Sequence, residues 1–207
     1  MGPATPLEHR TFAEFVKAIV ANLNRSRITY AVTGALAASY YGVPRTTVDA
    51  DFKVKISAQK LPELWKTLEQ SGLEVDRNRA SRRLRSGYNI VSFEDSLSGH
   101  TADFIIETRK KIERRKGTLL GLQAFYDSPE SLIVAKLRMI KATIPKERAE
   151  KDREDVRAIM AQTRVSMHKI IARSERQDTD EIFQELFGKR KFRNLQRVKN
   201  DLRESWG

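Results

Sequence analysis

Apolar residues near the start of the chain recur at helical spacing, with Phe12, Phe15, Val16, Ile19, Val20 and Leu23 on one face. Thr11 and Glu14 in front of them make a capping-box pattern, so an amphipathic first helix is expected. Asn24 to Arg27 break it, and the β-branched and aromatic run from Ile28 to Thr33 predicts a strand ending at Gly34. Ala35 to Tyr41 predicts a short apolar helix, stopped by Gly42 and by Pro44, whose ring forbids continuation. A second strand is expected over Val48 to Ile56. Leu61, Leu64, Trp65 and Leu68 then mark an amphipathic helix closed by Gly72. The polar stretch from Asp76 to Gly87 reads as a loop, leading to strands over Tyr88 to Phe93 and Thr101 to Glu107 joined by a Ser/Gly-containing turn.

From Ser128 onward only helical spacing is seen. Ser128 can cap a helix with Pro129 at its first position, running through Leu132, Ile133, Ala135, Leu137 and Ile140. Pro145 separates it from a helix over Arg148 to Gln162, and further helical stretches follow to the C-terminus. The expected class is α+β: a small mixed sheet with packed helices over 1–126, then a helical domain over 127–207. No internal repeat or low-complexity tract is visible.

Composition narrows the functions. A chain of 207 residues at 40% hydrophobic content can bury a real core. It has no cysteine, which removes disulfides, thiolate metal sites and cysteine nucleophiles. No segment approaches the roughly 18 uninterrupted apolar residues that a membrane span needs, so a soluble, cytoplasmic protein without a membrane partner is expected. The formal charge of +12, from 39 Lys and Arg against 27 Asp and Glu, favours polyanions. The basic residues cluster in Arg77, Arg79, Arg82, Arg83 and Arg85, in Arg109 to Lys116, and in Lys189 to Lys199. The first cluster is either solvated surface or a loop that tracks nucleic-acid phosphates beside the active cleft, and we assign it the second role.

The chemistry lies around Thr33-Gly34-Ala35 and the later Asp49-Ala50-Asp51. Side chains alternate along a strand, so Asp49 and Asp51 share a face while Ala50 points to the other. Converging carboxylates are costly without a cation, and hard oxygen ligands of this kind suit Mg²⁺ together with substrate phosphates. Gly34 at the strand-to-helix junction allows close approach of a phosphate to the backbone. A third acid is expected for phosphoryl transfer, and Asp103 is the best candidate because it interrupts an otherwise apolar strand. His9, His100 and His168 sit in unrelated segments, and His100 reads as an exposed turn residue.

The runs Tyr30 to Ala37 and Tyr41 to Asp51 resemble the signature of the polymerase-beta-type nucleotidyltransferase superfamily, and within it the AbiEii-like and MNT-like proteins of toxin–antitoxin systems. Ser128 to Leu137 and Lys151 to Val156 resemble later motifs of the AbiEii-like branch. The resemblance implies Mg²⁺ on Asp49, Asp51 and Asp103. It adds Lys136 and Asp155 as catalytic residues, with Lys151 and Asp152 as neighbours. Thr33, Gly34, Ala35, Arg45, Thr46 and Lys136 are implied in nucleotide binding. Ala35 stands where the family usually has glycine or serine, which removes a side-chain contact to phosphate and leaves the backbone amide. The implied reaction moves an NMP from an NTP to a hydroxyl acceptor, favoured as an RNA such as a tRNA 3′ end, or on a protein side chain. A cognate toxin or antitoxin is an implied partner, and a catalytically weak protein that binds nucleic acid or a partner protein is the alternative.

Overall fold

A computed structural model describes residues 10–43 and 45–188. The basic run from Lys189 to Lys199 lies outside the described residues. Contacts divide the chain into one unit of residues 1–37 and 45–127 and a second of 38–44 and 128–207.

In the first unit, α1 (Phe12–Arg25) begins at the capping box: Thr11 Oγ1 accepts from the Glu14 amide, and the Glu14 carboxylate accepts from the Thr11 amide. The chain continues through β1 (Thr29–Val32), α2 (Gly34–Tyr40), whose end passes into the second unit, and β2 (Asp49–Lys55). A 3₁₀ turn at Ala58–Lys60 leads into α3 (Leu61–Glu69). The arginine-rich segment is not a loop. It forms α4 (Arg77–Arg85), capped by Asp76, whose carboxylate accepts from the Arg79 amide. Arginine is a good helix former, and its apolar Ala80 is buried. After α4 come β3 (Ile90–Glu94) and β4 (Thr101–Glu107), then the hairpin of β5 (Arg114–Leu119) and β6 (Leu122–Asp127).

The sheet order is β3-β4-β2-β1-β6-β5. The β2/β4 and β1/β6 pairs are parallel, and β1/β2, β3/β4 and β5/β6 are antiparallel. The hairpin turns on Leu120 and Gly121, both at positive φ, the backbone a two-residue hairpin requires. One sheet face carries Ala50, Phe52, Val54, Ala102, Phe104, Val91 and Phe93, all buried. Phe52 and Phe104 stack at 5.4 Å, and Trp65 of α3 meets Phe93 edge-on at 5.8 Å. The apolar stripes of α1 and α3 complete this core.

The second unit contains α5 (Pro129–Ala142), α6 (Glu150–Gln162), α7 (Met167–Arg176) and α8 (Asp180–Phe187), with a 3₁₀ turn at Lys146–Ala149. Ser128 caps α5 by accepting from the Ser131 amide. Within the apolar interface of α5 and α6, buried Lys136 ion-pairs with fully buried Asp155 at 2.6 Å and with Asp152, 27% exposed at its side chain, at 2.9 Å. No helix among the described residues is long and apolar enough to cross a membrane.

Removing Asp155 would leave the buried Lys136 ammonium with only the partly exposed Asp152 as its partner. Asp155→Ala is expected to lower stability by about 3–5 kcal/mol, and Asp152→Ala by about 1 kcal/mol or less because water can replace it. Equal urea-unfolding losses for the two variants would show that the buried pair is not the dominant one. Burial pushes the Tyr30 phenol up to about 12 from its ordinary 10. The neutral phenol is the favoured folded form, so this contribution is complete below pH 10 and is lost as pH rises through 12. Absorbance titration should show a tyrosine ionising in that window, absent from Tyr30→Phe.

Candidate active site

β2 presents Asp49, Asp51 and Lys53 on the sheet face opposite the aromatic core, because they alternate with buried Ala50, Phe52 and Val54. The parallel register sets Asp51 beside Asp103 and Asp49 beside Thr101. Asp103 in turn lies opposite Ser92 of the edge strand. Asp49 is exposed, and Asp51 and Asp103 are half-buried. Asp103 therefore belongs to the polar face and not to the core, as its position within an apolar run suggested. Its neighbours Ala102 and Phe104 are the buried ones.

Local contacts fix this end of the sheet. Thr101 donates from its hydroxyl to Asp49 Oδ1 at 2.6 Å, and Thr47 bonds both the amide and the carbonyl of Asp49 through Oγ1. The Thr33 amide donates to the Asp51 carbonyl at 2.9 Å, tying the end of β1 to the start of β2. Gly34 follows at φ 60°, and a Cβ there would lie 1.9 Å from Asp51 Oδ2. The glycine thus makes room for a carboxylate and holds a left-handed backbone, two demands no other side chain meets. Ala35 sits one residue further, inside the first turn of α2.

Two residues that the sequence reading did not single out complete this face. Buried Asp127, at the end of β6, ion-pairs with the Lys53 ammonium and accepts from Thr33 Oγ1 at 3.1 Å. The strand parity of Lys53 with Asp51 was a usable signal. For Asp127 there was none, since β6 itself was not anticipated.

The expected residues are divided between the two units. Asp49, Asp51, Asp103, Thr33 and Gly34 gather at one end of the first unit. Arg45 and Thr46 lie in the segment entering β2, half-buried and exposed respectively. Lys136 and Asp155 belong to the second unit, where they pair with each other. Of the arginine cluster, Arg77 is held in a bidentate pair by Glu69, and Arg83 donates to the Ile90 carbonyl and lies over the Tyr88 ring. Arg79, Arg82 and Arg85 are exposed along α4. His100 is half-buried against the Phe12 and Phe15 rings, not an exposed turn residue.

Among the described residues, no three His, Asp or Glu side chains are gathered so as to hold a metal ion between them. The donor chemistry of the Asp49–Asp51 pair does fit Mg²⁺, which is commonly held through one or two carboxylates with substrate phosphates and water filling the rest of its shell.

No protein-family model matches the chain, and no curated protein matches it in sequence. Solved structures do. The antibiotic-resistance factor ANT(2″)-Ia superposes with a TM-score of 0.58 at 14% identity, covering 84% of this chain and 94% of that one. That protein has also been solved in complex with adenylyl-2″-tobramycin. An antigenic nucleotidyltransferase-like protein from Paracoccidioides brasiliensis gives 0.54 at 15% identity, covering 87% of this chain and 95% of its own. The lincosamide antibiotic adenylyltransferase LnuA, lincomycin-bound, gives 0.50 at 13% identity, covering 72% and 97%. With its mixed sheet and packed helices, the chain has the fold of these structures.

Proposed function

We propose that the protein transfers a nucleotidyl group from an NTP to a hydroxyl acceptor, the acceptor oxygen bonding the α-phosphorus as pyrophosphate leaves. The observation that supports this best is the register of β2 and β4, which brings Asp49, Asp51 and Asp103 onto one polar face beside a glycine whose missing side chain leaves space for a carboxylate. Asp49 and Asp51 are the residues to hold Mg²⁺, which when bound supplies Lewis-acid neutralisation of the triphosphate. Asp103, neighbouring Asp51 in register, would accept the proton of an acceptor hydroxyl. Gly34 and the Ala35 amide supply backbone surface for a phosphate, and Arg45, at the entry to β2, offsets phosphate charge. Lys53 is committed to Asp127, so its role is to hold β2 and β6 in place.

The acceptor reading rests on charge. A net +12 favours a polyanion such as RNA, and a tRNA 3′ end offers the required hydroxyl. The exposed Arg79, Arg82 and Arg85 of α4 are placed on a helix face able to meet such a strand. A toxin–antitoxin role of the AbiEii-like or MNT-like kind is the setting that the strand motifs suggest. A small hydroxylated antibiotic is the second reading, motivated by the tobramycin adduct and the bound lincomycin of the structural neighbours.

Incubation with each α-labelled NTP, Mg²⁺ and either tRNA, tobramycin or lincomycin should label one acceptor. RNA labelling supports the first reading, and drug labelling replaces it with the second. Asp49→Asn and Asp51→Asn should abolish label transfer while the melting temperature holds or rises, since like charges are removed. Retention of wild-type transfer by the double variant would sink the assignment. Gly34→Ala should displace the Asp51 carboxylate and cut transfer at least tenfold, with a stability loss of about 1–2 kcal/mol from the left-handed backbone. Unchanged transfer in that variant would mean that Asp51 need not sit where it does.

A further inference from the structure

The first unit has a cavity lined by residues from the end of α1, the start of β1 and the β5–β6 hairpin. Thr29, at the start of β1, lines it, and Arg114 of its wall stands opposite Asp127 in the β5/β6 register. Its volume is about 400 Å³, within the range of roughly 300–1,000 Å³ of small-molecule sites. No acid lines it. Arg27, Arg114, Gln123 and Thr29 contribute its polar atoms and Phe125 an aromatic wall.

Arg114 is held by its side chain and Arg27 by its backbone. Arg114 lies 3.9 Å over the Phe125 ring and donates from one guanidinium nitrogen to the Tyr30 carbonyl at 3.1 Å, which fixes its plane and leaves its other donors for the cavity. Partial burial lowers its pKa, a cost of desolvating a cation that an anion would relieve. Among the described residues neither Arg114 nor Arg27 has a carboxylate partner. Arg27 stands at φ 52°, a left-handed backbone that glycine or asparagine would adopt with less strain. Its amide bonds the Asn24 carbonyl at 3.0 Å, and the Asn24 side chain bridges to the Gln123 carbonyl at 2.7 Å, so the turn is anchored to β6. Arg27 and Arg114 thus both line a hollow to which no acid contributes. A phosphate there can pair with both cations.

We propose that Arg27 and Arg114 form a phosphate-binding site, separate from the strand carboxylates, that takes a phosphate group through paired charge-assisted hydrogen bonds. The phosphate comes either from an RNA backbone or from a free phosphate or nucleotide, and the chemistry of recognition is the same. The site does not depend on the transfer activity proposed above, because it uses none of those residues.

The test uses the full chain. In NMR titrations at constant ionic strength, inorganic phosphate should shift the arginine side-chain signals of Arg27 and Arg114 and the amide of Thr29, and chloride should not. Arg27→Gly suits its backbone angle and so keeps the fold; it and Arg114→Gln should each weaken phosphate binding about tenfold. In parallel, tRNA binding is followed against salt. A log–log slope lower in Arg27→Gly by about 0.7–0.9 assigns the phosphate to an RNA backbone, whereas an unchanged tRNA slope beside weakened phosphate binding assigns it to a free phosphate or nucleotide. The proposal is overturned if phosphate leaves both arginine signals unmoved, or if Arg27→Gly and Arg114→Gln bind phosphate as tightly as the wild type.

Discussion

The side chains of a β-strand fall on alternate faces, and in β2 this parity separates two kinds of chemistry at single-residue spacing. Ala50, Phe52 and Val54 enter the core, where the Phe52–Phe104 stack joins the two parallel strands. Asp49, Asp51 and Lys53 take the other face. A slip of one residue would bury three charges and expose the aromatic ladder, so burial on one side fixes the positions of the carboxylates on the other. The packing of α1 and α3 against the sheet is therefore also what sets the candidate site.

That site is crowded with charge, and the structure handles the crowding by local pairing. Asp127 draws in Lys53 of β2 and Thr33 just past the end of β1, so the buried carboxylate is compensated. Asp49 is held by Thr101, and Asp51 rests against the bare Cα of Gly34. Side chains held by neighbours in this way lose little entropy when a ligand arrives. The helical unit uses the same device in an apolar interface, where Lys136 serves Asp155 and Asp152 together.

Charge elsewhere in the first unit follows a different logic. The arginines of α4 stand on the surface, with Arg77 and Arg83 tied down and the others in solvent. β5 is an edge strand, and its basic residues discourage pairing with another chain. Arg27 and Arg114 are the exception, facing a hollow with no acid in it.

Local patterns in the sequence located α1 with its capping box, α3, α5 with its Ser128–Pro129 start, and the strands β1, β2 and β4 to within a residue or two. Each carries its own period or stop signal. Strand parity alone also paired Asp49 with Asp51. Where neighbours in space decide, the sequence was silent or misleading. The arginine-rich segment read as a loop because its helical face contributes only Ala80 to the core, too little for an apolar period to register. The β5–β6 hairpin went unseen because a basic edge strand shows no alternation and its turn is Leu120-Gly121 instead of a strong turn pair. The register of Asp103 beside Asp51, the collection of Lys53 and Thr33 by Asp127, and the fit of Gly34 against a carboxylate all join segments far apart in the chain. Contacts of that kind leave no local period, and only the paired sheet could decide them.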